Sequence, residues 1–308
     1  MTTNINTSMG LREWGMLILL SLLWGGSFFF VGVAVDELPP LTIVWFRVAL
    51  GALTLWIVVG FLRLPIPRNG KVWLSILLMG CLNNVIPFSL IVWGQTHIAS
   101  GLASVFNGTT PLFTVLVAAV FLADERISGT KVVGVALGFI GVLVMMGPEV
   151  LSGLGANVLG QLAILGAAIS YAFAAVFGRR FKGMDLNPIV LAAGQVTMST
   201  LVLLPLMWFV DQPLTLSMPG MPVILSVLAL AVFSTGLAYI LFFRLLASAG
   251  ATNLSLVTFL IPVSAILLGV FVLGEQLEFK HYLGMGFIAL GLIAIDGRWK
   301  QWNGAQKA

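Results

Sequence analysis

Charge is what this chain has least of. Fifteen basic and eleven acidic residues among 308 make up 8%, against roughly a quarter in an ordinary soluble domain. That is too few to solvate a globular surface, while 59% of the residues are apolar, in runs that recur from end to end rather than in one anchor. A typical soluble protein is excluded. Cysteine is nearly absent too. Cys81 stands alone inside an apolar run, which rules out an intramolecular disulfide framework and thiolate metal clusters. The phosphate loop G-x-x-x-x-G-K-S/T does not occur, so the chain by itself is not expected to hydrolyse ATP.

The uncharged stretches are membrane spans. Trp14 to Val35 is too long for a signal-peptide core and reads as an uncleaved first span. From Val72 to Ala123 there is no formal charge, more than twice what one helix uses, so a turn falls inside, at Gln95 to Gly101. Proline, glycine and charge clusters divide the rest. The predicted spans are 14–35, 41–61, 72–94, 99–122, 131–147, 159–179, 188–209, 222–244, 251–273 and 281–296. They are helices rather than barrel strands, because runs of this length are apolar on all faces and lack period-two alternation. The expected fold class is all-α: a polytopic membrane protein of ten helices.

Alternate sides of these spans differ in charge. One side carries Arg12, Arg63, Arg68, Lys71, Arg126, Lys131, Arg179, Arg180, Lys182, Arg244, Arg298, Lys300 and Lys307, thirteen of the fifteen basic residues. The other carries Lys280 among Asp36, Glu37, Glu149, Asp211, Glu275 and Glu278. Positive charge stays on the cytoplasmic side, so both termini are expected there.

The chain also repeats itself. PLFTVLVAAVFLADERISGTKVVGVALGFIGVLVMMG from Pro111 overlays PVSAILLGVFVLGEQLEFKHYLGMGFIALGLIAIDG from Pro262 with one single-residue gap. Pro111 meets Pro262, Glu125 meets Glu275, and Gly134, Gly141 and Gly147 meet Gly284, Gly291 and Gly297. Any two glycine-rich membrane segments look somewhat alike, but the shared acid-loop-helix order in one register is harder to reach by accident. The division expected is 1–149 and 150–308, five spans each. An odd number of spans makes the second copy enter the membrane from the opposite side, an inverted repeat, which is the architecture of alternating-access transporters.

Two five-span halves, the segment LLWGGSFFF from Leu22, the pair Phe46–Arg47 in span two, and the proline and glutamate that close spans four and nine resemble the EamA family of the drug/metabolite transporter superfamily. The resemblance covers about Trp14 to Gly297. Within the family the chain resembles the YddG-like bacterial exporters. That resemblance implies a multi-pass protein of the bacterial inner membrane that exports aromatic amino acids and similar amphipathic compounds. A multidrug or nucleotide-sugar carrier of the same fold is the alternative.

Candidate site residues follow from polarity at depth. Arg47 lies some six residues inside span two, about 9 Å from its end, where an ionised group is costly unless paired or wetted. It either meets a substrate carboxylate, or it snorkels outward or pairs with Asp36, Glu37 or backbone carbonyls to hold the fold. Trp24, beside Gly25, Gly26 and Ser27 in mid-span, offers an indole either for stacking on an aromatic substrate or for helix packing. Span three contributes Asn83, Asn84, Pro87 and Phe88; span eight contributes Ser234, Thr235, Gly236 and Tyr239. Tyr171 stands in span six roughly where Trp24 stands in span one, and Gln195 in span seven where Arg47 stands in span two. Each alone reads as an interhelical hydrogen bond; together they predict a polar-aromatic central cavity for a small-molecule substrate. Pro87, Pro111 and Pro262 are the expected hinge or gating positions.

No Asp or Glu falls at mid-depth, and His97 and His281 lie near the outer surface, which favours transport down the substrate's own gradient and leaves proton coupling as the alternative. The remote alternative, an intramembrane enzyme, lacks a serine and histidine at compatible depth and a DDxxD cluster. No enzyme activity, cofactor, metal or nucleic-acid partner is expected. The expected partners are lipid and substrate, and the expected unit is a monomer.

Overall fold

A computed structural model describes residues 9–122, 128–147 and 155–296, with Ala251, Thr252 and Asp296 described in backbone only. Expectations resting on Asp124, Glu125, Arg126, Glu149, Gly297, Arg298, Lys300 and Lys307 lie outside the described residues. Eight helices are long and apolar enough to cross a membrane: α1 Leu11–Ala34, α2 Pro40–Phe61, α3 Gly70–Gln95, α4 Ser100–Phe121, α5 Gly129–Met146, α6 Ala156–Gly183, α7 Pro188–Val210 and α8 Met221–Gly250. Two shorter apolar helices, α9 Val257–Leu273 and α10 Phe279–Asp296, complete the ten. No strand occurs among the described residues.

Sequence-local chemistry sets most of the ends. Proline at the first turn starts α2, α7 and α8, where a missing N–H costs nothing. Asn69 and Asn187 side chains accept from Lys71 and Ile189 N–H at 2.9 Å and cap α3 and α7. One expected boundary is wrong: α8 continues past Arg244 to Gly250 instead of stopping at 244, and the next continuous helix begins at Val257 rather than 251. A lone arginine can extend its head along the helix to water and need not end it. Gly250, at φ +77°, does break it, since that backbone conformation favours glycine. Nor is α4 continuous. It turns at Gly108 and Thr109, between Ser100–Asn107 and Thr110–Phe121, and Thr109 and Thr110 hydroxyls donate to the Phe106 and Asn107 carbonyls at 2.6 and 2.7 Å.

Polarity is arranged inside out. Arg47, Asn84, Gln95, Gln161, Gln195, Ser199 and Thr235 are buried, while Leu53, Ile57, Leu143, Leu201 and Phe271 are each more than half exposed. Water would reverse this distribution and hydrocarbon enforces it, so the chain is a multi-pass membrane protein.

Helix contacts come in matched sets. Helix α1 packs on α9 as α6 packs on α4; α3 packs on α6 as α8 packs on α1; α3 packs on α7 as α8 packs on α2. The remaining major pairs, α2 with α7, α4 with α9 and α5 with α10, map onto themselves when α1–α5 are exchanged for α6–α10. The α5–α10 pair is the most extensive, and it crosses through glycines: Gly134 faces Gly291 and Gly141 faces Gly284. The two crossings are reciprocal, as a two-fold relation between the helices requires.

At the face bearing Asp36 and Glu37, carboxylates cap helix N-termini across the molecule. Glu37 accepts from Gly220 N–H at 2.6 Å, before α8. Asp211, after α7, accepts from the Thr42 N–H and hydroxyl at 2.6 and 2.8 Å. Glu275, after α9, accepts from Ser100 and Gly101 N–H at 2.6 and 2.9 Å and caps α4. Each carboxylate satisfies at least one orphan amide and places negative charge at the positive end of a helix dipole.

A methyl group at Gly141 would sit 2.6 Å from the Gly284 carbonyl oxygen and 2.8 Å from the Ile288 nitrogen, both backbone. Gly141→Ala gains about 1 kcal/mol of helix propensity, but separating the helices costs about 1–3 kcal/mol. Thermal unfolding in detergent is expected to show a lowered Tm. Gly286→Ala, on the same helix α10 with nothing within 4 Å of the added carbon, is expected to leave Tm unchanged or raise it.

Candidate functional site

Two helices leave the regular α-form at corresponding depths. In α3, residues Cys81–Val85 form a π-helical turn; in α8, residues Val232–Leu237 do the same. In α3 the cause is local. Pro87 has no N–H for the carbonyl four residues back and its ring would clash with it, and an extra residue in the turn relieves both. The loosened carbonyls find other donors: Ser170 of α6 donates to Leu82 O at 2.7 Å, and Thr235 donates to Leu230 O at 3.0 Å.

Arg47 lies between these turns. It is 5% exposed and makes no ion pair with Asp36 or Glu37. Its Nε donates to the Thr235 hydroxyl at 3.2 Å, and its Cζ stands 3.7 Å from the centroid of the Phe88 ring. No carboxylate pairs with it among the described residues. A guanidinium has five N–H donors. One hydrogen bond to a neutral hydroxyl and one aromatic face return about 2–4 kcal/mol, and desolvating the charge costs several kcal/mol or more. The site is therefore short of an anion.

Amides and phenols complete the cluster. Asn83 Nδ2 donates to Gln195 Oε1 at 3.2 Å and to the Tyr239 hydroxyl at 3.1 Å, and Asn84 Nδ2 donates to the same hydroxyl at 3.0 Å. Tyr171 of α6 lies within electrostatic reach of both Arg47 and Tyr239. Seven of the nine candidates, Arg47, Asn83, Asn84, Phe88, Tyr171, Gln195 and Tyr239, thus come from α2, α3, α6, α7 and α8 to one place.

Two candidates stand apart. Ser234 is buried, with no hydroxyl partner among the described residues, and its neighbour Thr235 takes the position on Arg47. One residue turns a side chain by about 100° on a helix, which decides between them. Trp24 packs in a separate apolar cluster of α1, α8 and α9. It reaches the site only through rings: Trp24 to Phe242 at 5.6 Å, Phe242 to Phe243 at 5.1 Å, and Phe243 stacked on Tyr239 at 6.4 Å. Phe242 and Phe243 were not foreseen, although their place three and four residues after Tyr239 puts them on its side of α8. Of the three prolines, Pro87 follows the π turn and Pro111 follows the break in α4, whereas Pro262 lies inside α9, past the turn at Ser255 and Leu256. An apolar groove of about 500 Å³ opens not at the cluster but beside it, between α2, α8 and the connection before α8, lined by Phe46, Leu50, Met218 and Leu228.

The profile of the EamA-like transporter family matches residues 13–147 and again 158–295. A protein of Escherichia coli K12 named "Uncharacterized inner membrane transporter YedA" is 30% identical, over 91% of this chain and 89% of its own length. Another from the same strain, named "Probable amino-acid metabolite efflux pump", is 28% identical over 94% of this chain and 97% of its own. A solved crystal structure covers 92% of this chain and 97% of its own with TM-score 0.67 at 18% identity, a likeness of fold.

Arg47→Met separates the two readings of the arginine. If the charge is held for a ligand, its removal relieves desolvation, and the ligand-free protein is expected to melt at the same or a higher temperature. A fall equivalent to more than about 1 kcal/mol would mark Arg47 as a structural tie.

Proposed function

The chain belongs to the EamA-like transporter family, and we propose that it exports small amphipathic metabolites that carry a carboxylate, aromatic amino acids first, across the bacterial inner membrane. The observation that carries this reading is the buried guanidinium of Arg47, without a carboxylate partner among the described residues, stacked on Phe88 and within electrostatic reach of Tyr171 and Tyr239. A substrate carboxylate supplies the missing anion through charge-assisted bonds, and an aromatic side chain finds rings to pack against. The names of the two relatives, an inner membrane transporter and an amino-acid metabolite efflux pump, point the same way.

The mechanism we assign is alternating access between residues 1–149 and 150–308. Helix contacts that exchange under the swap of halves favour it, as do the irregular turns beside the site, where a helix can bend without breaking further hydrogen bonds. In this scheme the caps made by Glu37, Asp211 and Glu275 open and close at the outer face, with both termini in the cytoplasm. Glu37, Asp211 and Glu275 at that face already hold backbone amides, and no carboxylate pairs with Arg47 among the described residues. Transport therefore runs down the substrate's gradient. The five helices around Arg47 belong to one chain, so one monomer suffices.

Counterflow tests this reading. Proteoliposomes preloaded with unlabelled phenylalanine are expected to take up labelled phenylalanine or tryptophan transiently above equilibrium, and Arg47→Met is expected to lose at least tenfold in rate, the loss of about 1.4 kcal/mol of binding. With only a pH difference imposed, label is expected to equilibrate without accumulating; accumulation would establish proton coupling. Failure to exchange any aromatic amino acid would move the assignment to a drug or sugar-nucleotide carrier.

A further inference from the structure

Arg47 accounts for one end of an amino acid and leaves the other unassigned. Around it, one buried acceptor is left over. Asn84 is 0% exposed, and its Nδ2 is committed to the Tyr239 hydroxyl, which fixes the amide plane. Its Oδ1 has no hydrogen-bond partner among the described residues. Tyr239 accepts from Asn83 as well as from Asn84, and Asn83 is further committed to Gln195. Consecutive residues of a regular α-helix do not face one partner; the wider π turn at Cys81–Val85 lets Asn83 and Asn84 converge on a single hydroxyl. The distortion thus holds an amide oxygen in a dry core with nothing to accept from, an arrangement that is costly unless a ligand completes it.

Spacing links this acceptor to the arginine. Thr235, which Arg47 touches, and Tyr239, which Asn84 touches, are four residues apart on α8, at most about 6 Å of rise. A group held between them meets a cation at one end and a hydrogen-bond acceptor at the other. That is the reverse of the charge order in an α-amino acid zwitterion, whose carboxylate and ammonium are borne on a single carbon.

We propose that Asn84 determines specificity by accepting a hydrogen bond from the substrate's ammonium group through Oδ1, so that the site selects α-amino acids over carboxylates of the same shape. The inference rests on the functional reading above, that a carboxylate docks on Arg47, and adds the second half of the head group. Pockets built to hydrogen-bond an N–H reject analogues that lack it, because the buried acceptor is then left alone.

Three ligands of one shape test it: L-phenylalanine, 3-phenylpropionate, which lacks the ammonium, and 2-phenylethylamine, which lacks the carboxylate. In wild-type proteoliposomes L-phenylalanine is expected to compete for exchange on the order of tenfold or more better than either analogue. In Asn84→Leu, similar in size and without the acceptor, the preference over 3-phenylpropionate is expected to collapse, while Asn84→Asp, which keeps an acceptor, retains it. A purely structural role for Asn84 would lower both ligands together with the preference kept, and that result overturns the proposal. Should Asn84→Leu fail to fold, thermal stabilisation of the purified wild-type protein decides. A larger Tm shift with L-phenylalanine than with 3-phenylpropionate supports the ammonium contact, and equal shifts overturn it. Exchange that stops when choline replaces sodium would assign Oδ1 to a metal cation and also overturn it. If neither L-phenylalanine nor 3-phenylpropionate exchanges in wild type, the broader functional reading fails. If both exchange equally, only the assignment of Asn84 does.

Discussion

A guanidinium enclosed by five helices, with no carboxylate beside it among the described residues, governs how the rest of this structure is read. In hydrocarbon the chain must satisfy its polar groups internally, and nearly every feature near Arg47 serves that need in part. Thr235 gives it one acceptor, Phe88 gives it a π face, and the amides of Asn83, Asn84 and Gln195 join the hydroxyl of Tyr239 in a hydrogen-bonded patch. None of these carries negative charge. A protein selected for stability alone would place a carboxylate or an apolar residue there; a protein that passes anions through its centre has reason to leave the place open.

The surrounding helices hold that centre with irregular as well as regular segments. Irregular turns occur in α3 and α8 beside the site, and α4 is broken at Gly108 and Thr109. Each of these interruptions is stabilised by side chains that take up loosened carbonyls, among them Ser170, Thr235 and Thr109. In contrast, α5 and α10 are regular and cross in glycine-to-backbone contact, joined to the other helices chiefly through α4. The molecule therefore combines one regular, closely packed crossing with irregular turns beside the proposed site. Carboxylate caps at one face are further ties between early and late helices, beside bonds such as Trp56 to Thr197 and Ser264 to the Ser21 carbonyl.

How much of this was legible in the sequence depends on the range of the interaction. Span number, start signals such as Pro40 and Pro188, and the inward residues Arg47, Asn83, Asn84 and Tyr239 could be read directly, because polarity at depth is a local property measured against lipid. The end of α8 could not be, since Arg244 looks like a boundary and Gly250 is one. The choice of Thr235 over Ser234 depends on how far a distorted helix has rotated, which periodicity does not give. Of the two readings of Trp24, the structure shows the packing one. Its small neighbours admit close approach, and α8 and α9 fill that approach with Phe242 and the backbone near Ser264 rather than with the polar cluster. The bond from Glu275 to Ser100, 175 residues away, belongs to tertiary structure altogether.

Everything functional here follows from one claim, that Arg47 is the counter-charge of the substrate's carboxylate. A structure of the protein with L-phenylalanine bound tests it most directly. The account predicts carboxylate oxygens about 2.7–2.9 Å from the guanidinium nitrogens, the distance of a charge-assisted bond, with the ring beside Phe88 or the tyrosines. A ligand whose carboxylate lies elsewhere, while Arg47 keeps only Thr235 and Phe88 as partners, would contradict it.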